Sequence, residues 1–213
     1  MHIRAIRFLL LIIGAAVLFF VFYPLYHDSR FGVSMISNLL IAYGSLWCFY
    51  SLQDDRSIRQ LLGIRTLDLT ILGIITMLTT AGVLGVLFGL AGTVSRYFDI
   101  SPWTGAAHQP LFLFTMLFYV LLSIPLQEYI FRGYVWAQIR HWIPRPWVAV
   151  VISSFLYSIS HLQYGWMMML VTFSFGLFLG YIMERYRRIA LPIIVHLLGG
   201  VAFFATNLII QFL

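Results

Sequence analysis

Charge is what this chain has least of. Only 9% of its 213 residues are charged and 62% are hydrophobic, whereas an ordinary soluble domain carries about 25% charged and about 45–50% apolar residues. A single soluble core of this length cannot bury so much apolar surface, so a soluble globular enzyme is excluded and a polytopic membrane protein is expected. Lysine is absent, since all 13 basic residues are arginine. Most of them fall in short connections between apolar runs, which is topology information rather than a DNA-binding face, so the net charge of +6 implies no nucleic-acid partner. Cysteine is nearly absent as well. Cys48, alone in an apolar run, excludes an internal disulfide, leaves the fold to helix packing and says nothing of the redox compartment. No internal repeat, low-complexity tract or second domain is evident.

What is present is a series of long apolar runs. The first, residues 8–26, is too long for a signal peptide and lacks a small-residue cleavage site, so it reads as a retained span. A second follows at 31–52. The polar connection 53–68 contains a short amphipathic stretch, 57–62, that suits an interfacial helix. A third span covers 69–94, with Gly82, Gly85, Gly89 and Gly92 recurring every three or four residues. The loop 95–110 is broken by Pro102, Gly105 and Pro110. A fourth span begins at 111 and meets Pro125, where a kink is expected. The fifth, sixth and seventh occupy 147–161, 166–183 and 189–212. With a cytoplasmic N-terminus, 11 of the 13 arginines, Arg132 among them, lie at or near the cytoplasmic face. The expected fold is all-α, with about seven transmembrane helices: three in residues 1–110, and a four-helix core of catalytic type in residues 111–213.

A few polar residues stand out within the later spans: Gln127, Glu128, Arg132, His161, His196 and Asn207. An ionised side chain at membrane depth costs roughly 2.5–3.5 kcal/mol by insertion data, so each one marks a candidate functional site. Glu128 and Arg132 are four residues apart on one helix face, with the acid N-terminal to the base, the favourable order for a pair. Gln127 is turned about 100° away, toward another neighbour. Taken singly, Glu128 neutralises Arg132 and each histidine is an ordinary interhelical hydrogen bonder. Taken together, a carboxylate, an amide and two histidines on three helices can position and activate water for attack on a carbonyl. Glu128, His161 and His196 also form a possible zinc set of three ligands plus water, though without the local spacing of a metalloprotease helix, so no cofactor is expected.

Gln127-Glu128-x-x-x-Arg132-Gly133, Tyr157-x-x-x-His161 and Phe173-x-x-Gly176-x-x-x-Gly180, followed by His196, resemble the CAAX-protease and bacteriocin-processing (CPBP, or Abi) family of intramembrane peptidases. The resemblance covers about residues 110–212. The motifs of that family are Glu-Glu-x-x-x-Arg, Phe-x-x-x-His and His-x-x-x-Asn/Asp. It implies a first glutamate that activates water with the first histidine, and a last histidine and asparagine that stabilise the oxyanion. Those roles fall here on Gln127, His161, His196 and Gly200. Gln127 cannot accept a proton near neutral pH, Gly200 has no side chain, and Asn207 lies about 16 Å along the helix from His196.

Three accounts of these departures stand side by side. Glu128 serves as base in a shifted geometry with Arg132 holding it ionised; the chain is a non-catalytic relative; or Gln127 is an engineered replacement that traps the site. The resemblance implies an intramembrane endopeptidase of the bacterial cytoplasmic membrane that acts on a membrane-associated peptide or protein. The alternative is a catalytically silent scaffold, regulator or immunity protein. Straight-helix depths put His161 about 21 Å and His196 about 10 Å from the cytoplasmic end, a mismatch that the packing has to resolve.

Overall fold

The computed structural model describes residues 2–26, 30–85, 117 and 119–212. Every element among them is helical. The chain opens with α1 (His2–Tyr26), α2 (Arg30–Asp54), the short α3 (Arg56–Leu61) and α4 (Thr66–Gly85). Helix α3 lies in the polar connection where the interfacial stretch was expected. Asp55 caps it, its carboxylate accepting from the amides of Ser57 at 3.1 Å and Ile58 at 3.2 Å. Helix α4 covers the first part of the third expected span. The remainder of that span, Gly89 and Gly92 and the loop 95–110 lie outside the described residues.

A continuous helical rod then carries the first motif. It is made of a π-helical turn (Tyr119–Ser123), α5 (Ile124–Glu128), a second π-helical stretch (Tyr129–Val135) and α6 (Trp136–Trp142), and the junction residues stay in the right-handed helical region. Pro125 offers no N–H to the preceding turn, and its ring crowds the carbonyl four residues back. The wider i→i+5 winding stands immediately upstream of it, where the regular α bond is lost. The chain turns at Pro144 and begins α7 (Pro146–Ile159) with proline at the first helical position, where its fixed φ is favourable. A single 3-10 turn (Leu162–Tyr164) leads to Gly165, whose φ of 96° favours glycine, and then to α8 (Trp166–Tyr186). Arg187 closes α8 in the left-handed region at φ 53°, which costs a non-glycine residue about 1–2 kcal/mol. Helix α9 (Ala190–Phe212) ends the fold.

Helix α2 packs between α1 and α4 and docks on the second π stretch of the rod. α6 and the second π stretch lie along α7, α5 meets α9, and α7 packs along α8. The core joins these layers through Cys48, Leu52, Leu62, Leu72, Leu126, Tyr134 and Trp136, all buried. Gly44 lets α2 approach closely: a Cβ there would stand 2.9 Å from Ile130 Cδ1. Cys48 Sγ donates to the Tyr129 carbonyl across the same contact at 3.2 Å.

Large apolar side chains face outward along α1, α4, α7, α8 and α9, among them Phe20, Met77, Phe155, Trp166 and Leu198. Monomeric soluble proteins keep their apolar patches to about 300–600 Å². Among the described residues two helices are long and apolar enough to cross a bilayer, Arg4–Val21 and Trp166–Tyr186, and three shorter apolar helices accompany them, Thr66–Ala81, Pro146–Ile159 and Ala190–Ala202. Helix length among the described residues thus reproduces two of the seven expected spans.

Candidate active site

Glu128 and Arg132 leave adjacent turns of the rod and are both fully buried. Arg132, expected as a polar residue within a span, lies inside the bundle. Its Nη1 donates to Glu128 Oε1 at 3.1 Å and its Nη2 to the Gly176 carbonyl on α8 at 3.1 Å, while its guanidinium carbon sits 4.4 Å from the ring centre of Tyr157. The glycine makes this possible. A Cβ at 176 would meet Arg132 Nη2 and Ser154 Cβ at 3.1 Å and Tyr157 Cδ1 at 3.2 Å. One turn on, a Cβ at Gly180 would stand 2.9 Å from Val150 Cγ1. The small-residue stripe of α8 is therefore the seat of α7.

The second partner of Glu128 comes from α9. His196 Nδ1 lies 2.7 Å from Glu128 Oε1, so Oε1 accepts from both Arg132 and His196. Glu128 Oε2 is buried without a hydrogen-bond partner among the described residues. A carboxylate can only accept, so Nδ1 carries the proton, and in the neutral ring Nε2 is then the lone-pair nitrogen. Nε2 faces the Tyr157 hydroxyl at 3.4 Å. Phe175 closes the other side of the imidazole, with ring centres 5.3 Å apart.

His161 is not joined directly to this cluster. Its Nδ1 lies 2.9 Å from the Tyr157 carbonyl and 3.2 Å from Ser160 Oγ. The carbonyl contact puts the proton on Nδ1 and leaves Nε2 bare. The Tyr157 ring stands between the two histidines, 4.7 Å from that of His161 and 5.9 Å from that of His196. Tyr157 thus bridges the two histidines, which share no direct hydrogen bond. Sequence reasoning saw Tyr157 only as an aromatic in the second motif. The signal it carried was the phenol itself, a polar atom inside a span.

Gln127 turns away from Glu128, and its amide Nε2 donates to Ser123 Oγ on its own helix at 2.9 Å. At position 200 the space beside the backbone is taken by Ile124, whose Cδ1 lies 2.8 Å from where a Cβ would stand. The side chain of Asn207 lies outside the described residues. Glu128, His161 and His196 do not gather as three ligands. Among the described residues no group of three His, Cys, Asp or Glu side chains could hold a metal ion.

Glu128, Arg132 and His196 thus form one buried polar cluster where helices meet, with the half-buried His161 on the far side of Tyr157. Residues 109–201, which contain every one of these side chains, match the model of the family described as type II CAAX prenyl endopeptidase Rce1-like, in agreement with the family that the motifs resemble. No curated protein and no solved structure matches the chain.

Proposed function

We propose that the chain is a metal-independent intramembrane endopeptidase that hydrolyses a peptide bond of a membrane-associated protein or peptide, reached from the cytoplasmic side. In this reading seven spans cross the membrane, residues 1–110 form a three-helix N-terminal unit and residues 111–213 the catalytic core. The observation that carries it is the Glu128–His196 contact of 2.7 Å, buried in an apolar bundle with Arg132 as counter-ion. A buried carboxylate on Nδ1 fixes the tautomer and ring orientation of an imidazole and leaves Nε2 as the proton-accepting atom. His196 Nε2 takes a proton from the attacking water as its oxygen bonds to the carbonyl carbon, and returns that proton to the amine as the C–N bond breaks. The Tyr157 hydroxyl, held at 3.4 Å from Nε2, turns to donate to the developing oxyanion. His161, half-buried with a bare Nε2, flanks the reacting carbonyl on the other side of the tyrosine ring.

The test is proteolysis of membrane-tethered C-terminal peptides by the purified full-length protein in detergent, with products identified by mass spectrometry. Glu128→Gln, His161→Ala and His196→Ala each lower turnover, and a chelator leaves the native enzyme unchanged. Equal turnover in all four proteins would sink the assignment.

Two observations favour a second reading, a catalytically silent scaffold: the Gln127 amide is bonded to its own helix, and position 200 offers no side chain. Gln127→Glu separates the two. Ser123 can donate as readily as it accepts, so a glutamate fits the same contact. A gain of turnover identifies a peptidase limited by Gln127, whereas capture of a membrane partner that survives His161→Ala and His196→Ala identifies a scaffold.

A further inference from the structure

Away from this site, a cavity of about 350 Å³ opens at the end of the bundle where α1 begins, α6 stops and α8 terminates. That volume falls in the range of about 300–1,000 Å³ typical of small-molecule pockets. Arg4, Arg140, His141 and Arg187 line it together with the Ser57 hydroxyl, over a floor of Ile58, Leu61 and Ala137.

The cations are held from behind. Arg4 Nε pairs with Asp55 Oδ2 at 2.6 Å and its Nη2 donates to Ser57 Oγ at 2.8 Å. Glu184 serves both other arginines, accepting from Arg140 Nε at 3.2 Å and Arg187 Nη2 at 2.5 Å. Arg140 Nη1 is fixed on the Pro144 carbonyl, and the Arg187 guanidinium lies 4.8 Å from the ring centre of Trp136. Among the described residues Arg140 Nη2 and Arg187 Nη1 donate to no protein group. Arg4 Nη1 has only the His141 ring nitrogens, both at 3.4 Å. Three guanidiniums against two carboxylates leave the cavity net positive, and Arg187 is set there by its own left-handed backbone at φ 53°.

From these residues we infer that this cavity binds a phosphate group, that of an anionic phospholipid headgroup. Preordered guanidiniums with free N–H donors match the tetrahedral oxygens of a phosphate, which accept from several directions at once. The apolar side chains of Ile58, Leu61 and Ala137 suit the first methylenes of the acyl chains that follow. The cavity also lies at the helix ends, the level at which lipid phosphates are concentrated around a protein whose flanks are apolar; here the inference rests on the membrane reading above. It does not depend on peptidase activity.

The test is thermal unfolding of the full-length protein in detergent, titrated with dioctanoyl-phosphatidylglycerol, dioctanoyl-phosphatidylcholine or inorganic phosphate. The phosphatidylglycerol raises the unfolding temperature saturably, and the other two do not at equal concentration. Loss of one charge-assisted hydrogen bond moves half-saturation up by about tenfold. Arg140→Gln and His141→Gln each show that shift, and Arg145→Gln, exposed on the following turn, does not. His141→Gln alone decides the matter if Arg140→Gln fails to fold, because His141 is exposed and makes no core contact. An equal response to phosphatidylcholine, or unchanged titrations in both variants, would overturn the site. An equal response to inorganic phosphate would overturn the lipid as its occupant.

Discussion

Replacing Arg132 by methionine keeps the reach of the side chain and deletes its charge, and three contacts go with it. Glu128 keeps His196 but loses its permanent counter-ion, the Gly176 carbonyl loses its outside donor, and the Tyr157 ring loses the cation over its face. Arg132 and Glu128 are both fully buried, so no solvent replaces what is lost. Removing one partner of a buried ion pair costs about 3–5 kcal/mol, and this range already overlaps the lost carbonyl contact. For a chain of this size 1 kcal/mol moves the unfolding temperature by about 2–4 °C, so the expected drop is about 6–20 °C. Cys48 supplies the assay. It is the only cysteine and is wholly buried, so a thiol-reactive fluorophore stays dark until the core opens. Adding Glu128→Gln to Arg132→Met removes the stranded charge and restores part of the loss. A single variant within about 2 °C of wild type, less than 1 kcal/mol, would refute the buried-pair argument. So would a double variant less stable than the single by the full cost of Glu128→Gln alone.

Other outcomes follow from the same contacts. Tyr157→Phe restores the aromatic of the family motif but removes the hydroxyl beside His196; kcat falls on the order of 100-fold with KM little changed, and a loss confined to KM would remove the tyrosine from the chemistry. Gly176→Val pushes a side chain into Arg132, Ser154 and Tyr157, and overpacking of this kind costs about 1–3 kcal/mol in the same thiol assay. Burial alone would raise the Asp55 carboxyl, but hydrogen bonds from Ser57 and the Ile58 amide and the charge of Arg4 outweigh it and hold it below its usual range. The unfolded carboxyl therefore protonates first, at about pH 3.9, and the stability Asp55 contributes is complete above that pH and is lost as pH falls through the lower folded value. Wild type and Asp55→Asn should converge in stability in that acid window and differ above it.

Helices were the legible part of this chain, because an apolar run needs no partner to announce itself. Their winding was not. The π turn upstream of Pro125 and the π stretch Tyr129–Val135 depend on a missing N–H and on what α2 and α7 press against the rod. The Gly176 carbonyl as the second partner of Arg132 was hidden for a related reason: that contact spans 44 positions and exists only once α8 meets the rod. Glu128 and Arg132 were readable as a pair because four residues on one helix is local information. His196 as the second partner of Glu128 was not, since that contact spans 68 positions and exists only once α9 meets α5. Tyr157 shows both sides of this. Its place in the second motif was evident, but its hydroxyl acquires meaning only from the neighbouring helix.

The π stretch also sets a constraint on chain length. Because i→i+5 winding turns the chain less per residue than an α-helix, the seven residues Tyr129–Val135 act as a phase adjuster between Glu128, which must face His196, and Arg140, which must face Glu184. Deleting one residue there would let the rod relax to plain α-helix while leaving the other helices in place. The two ends of the rod would then stay nearly in step, because seven residues of the wider winding turn the chain about as far as six of α-helix, whereas forcing all seven into α-helix would turn one end away from its partner by about one residue's 100°.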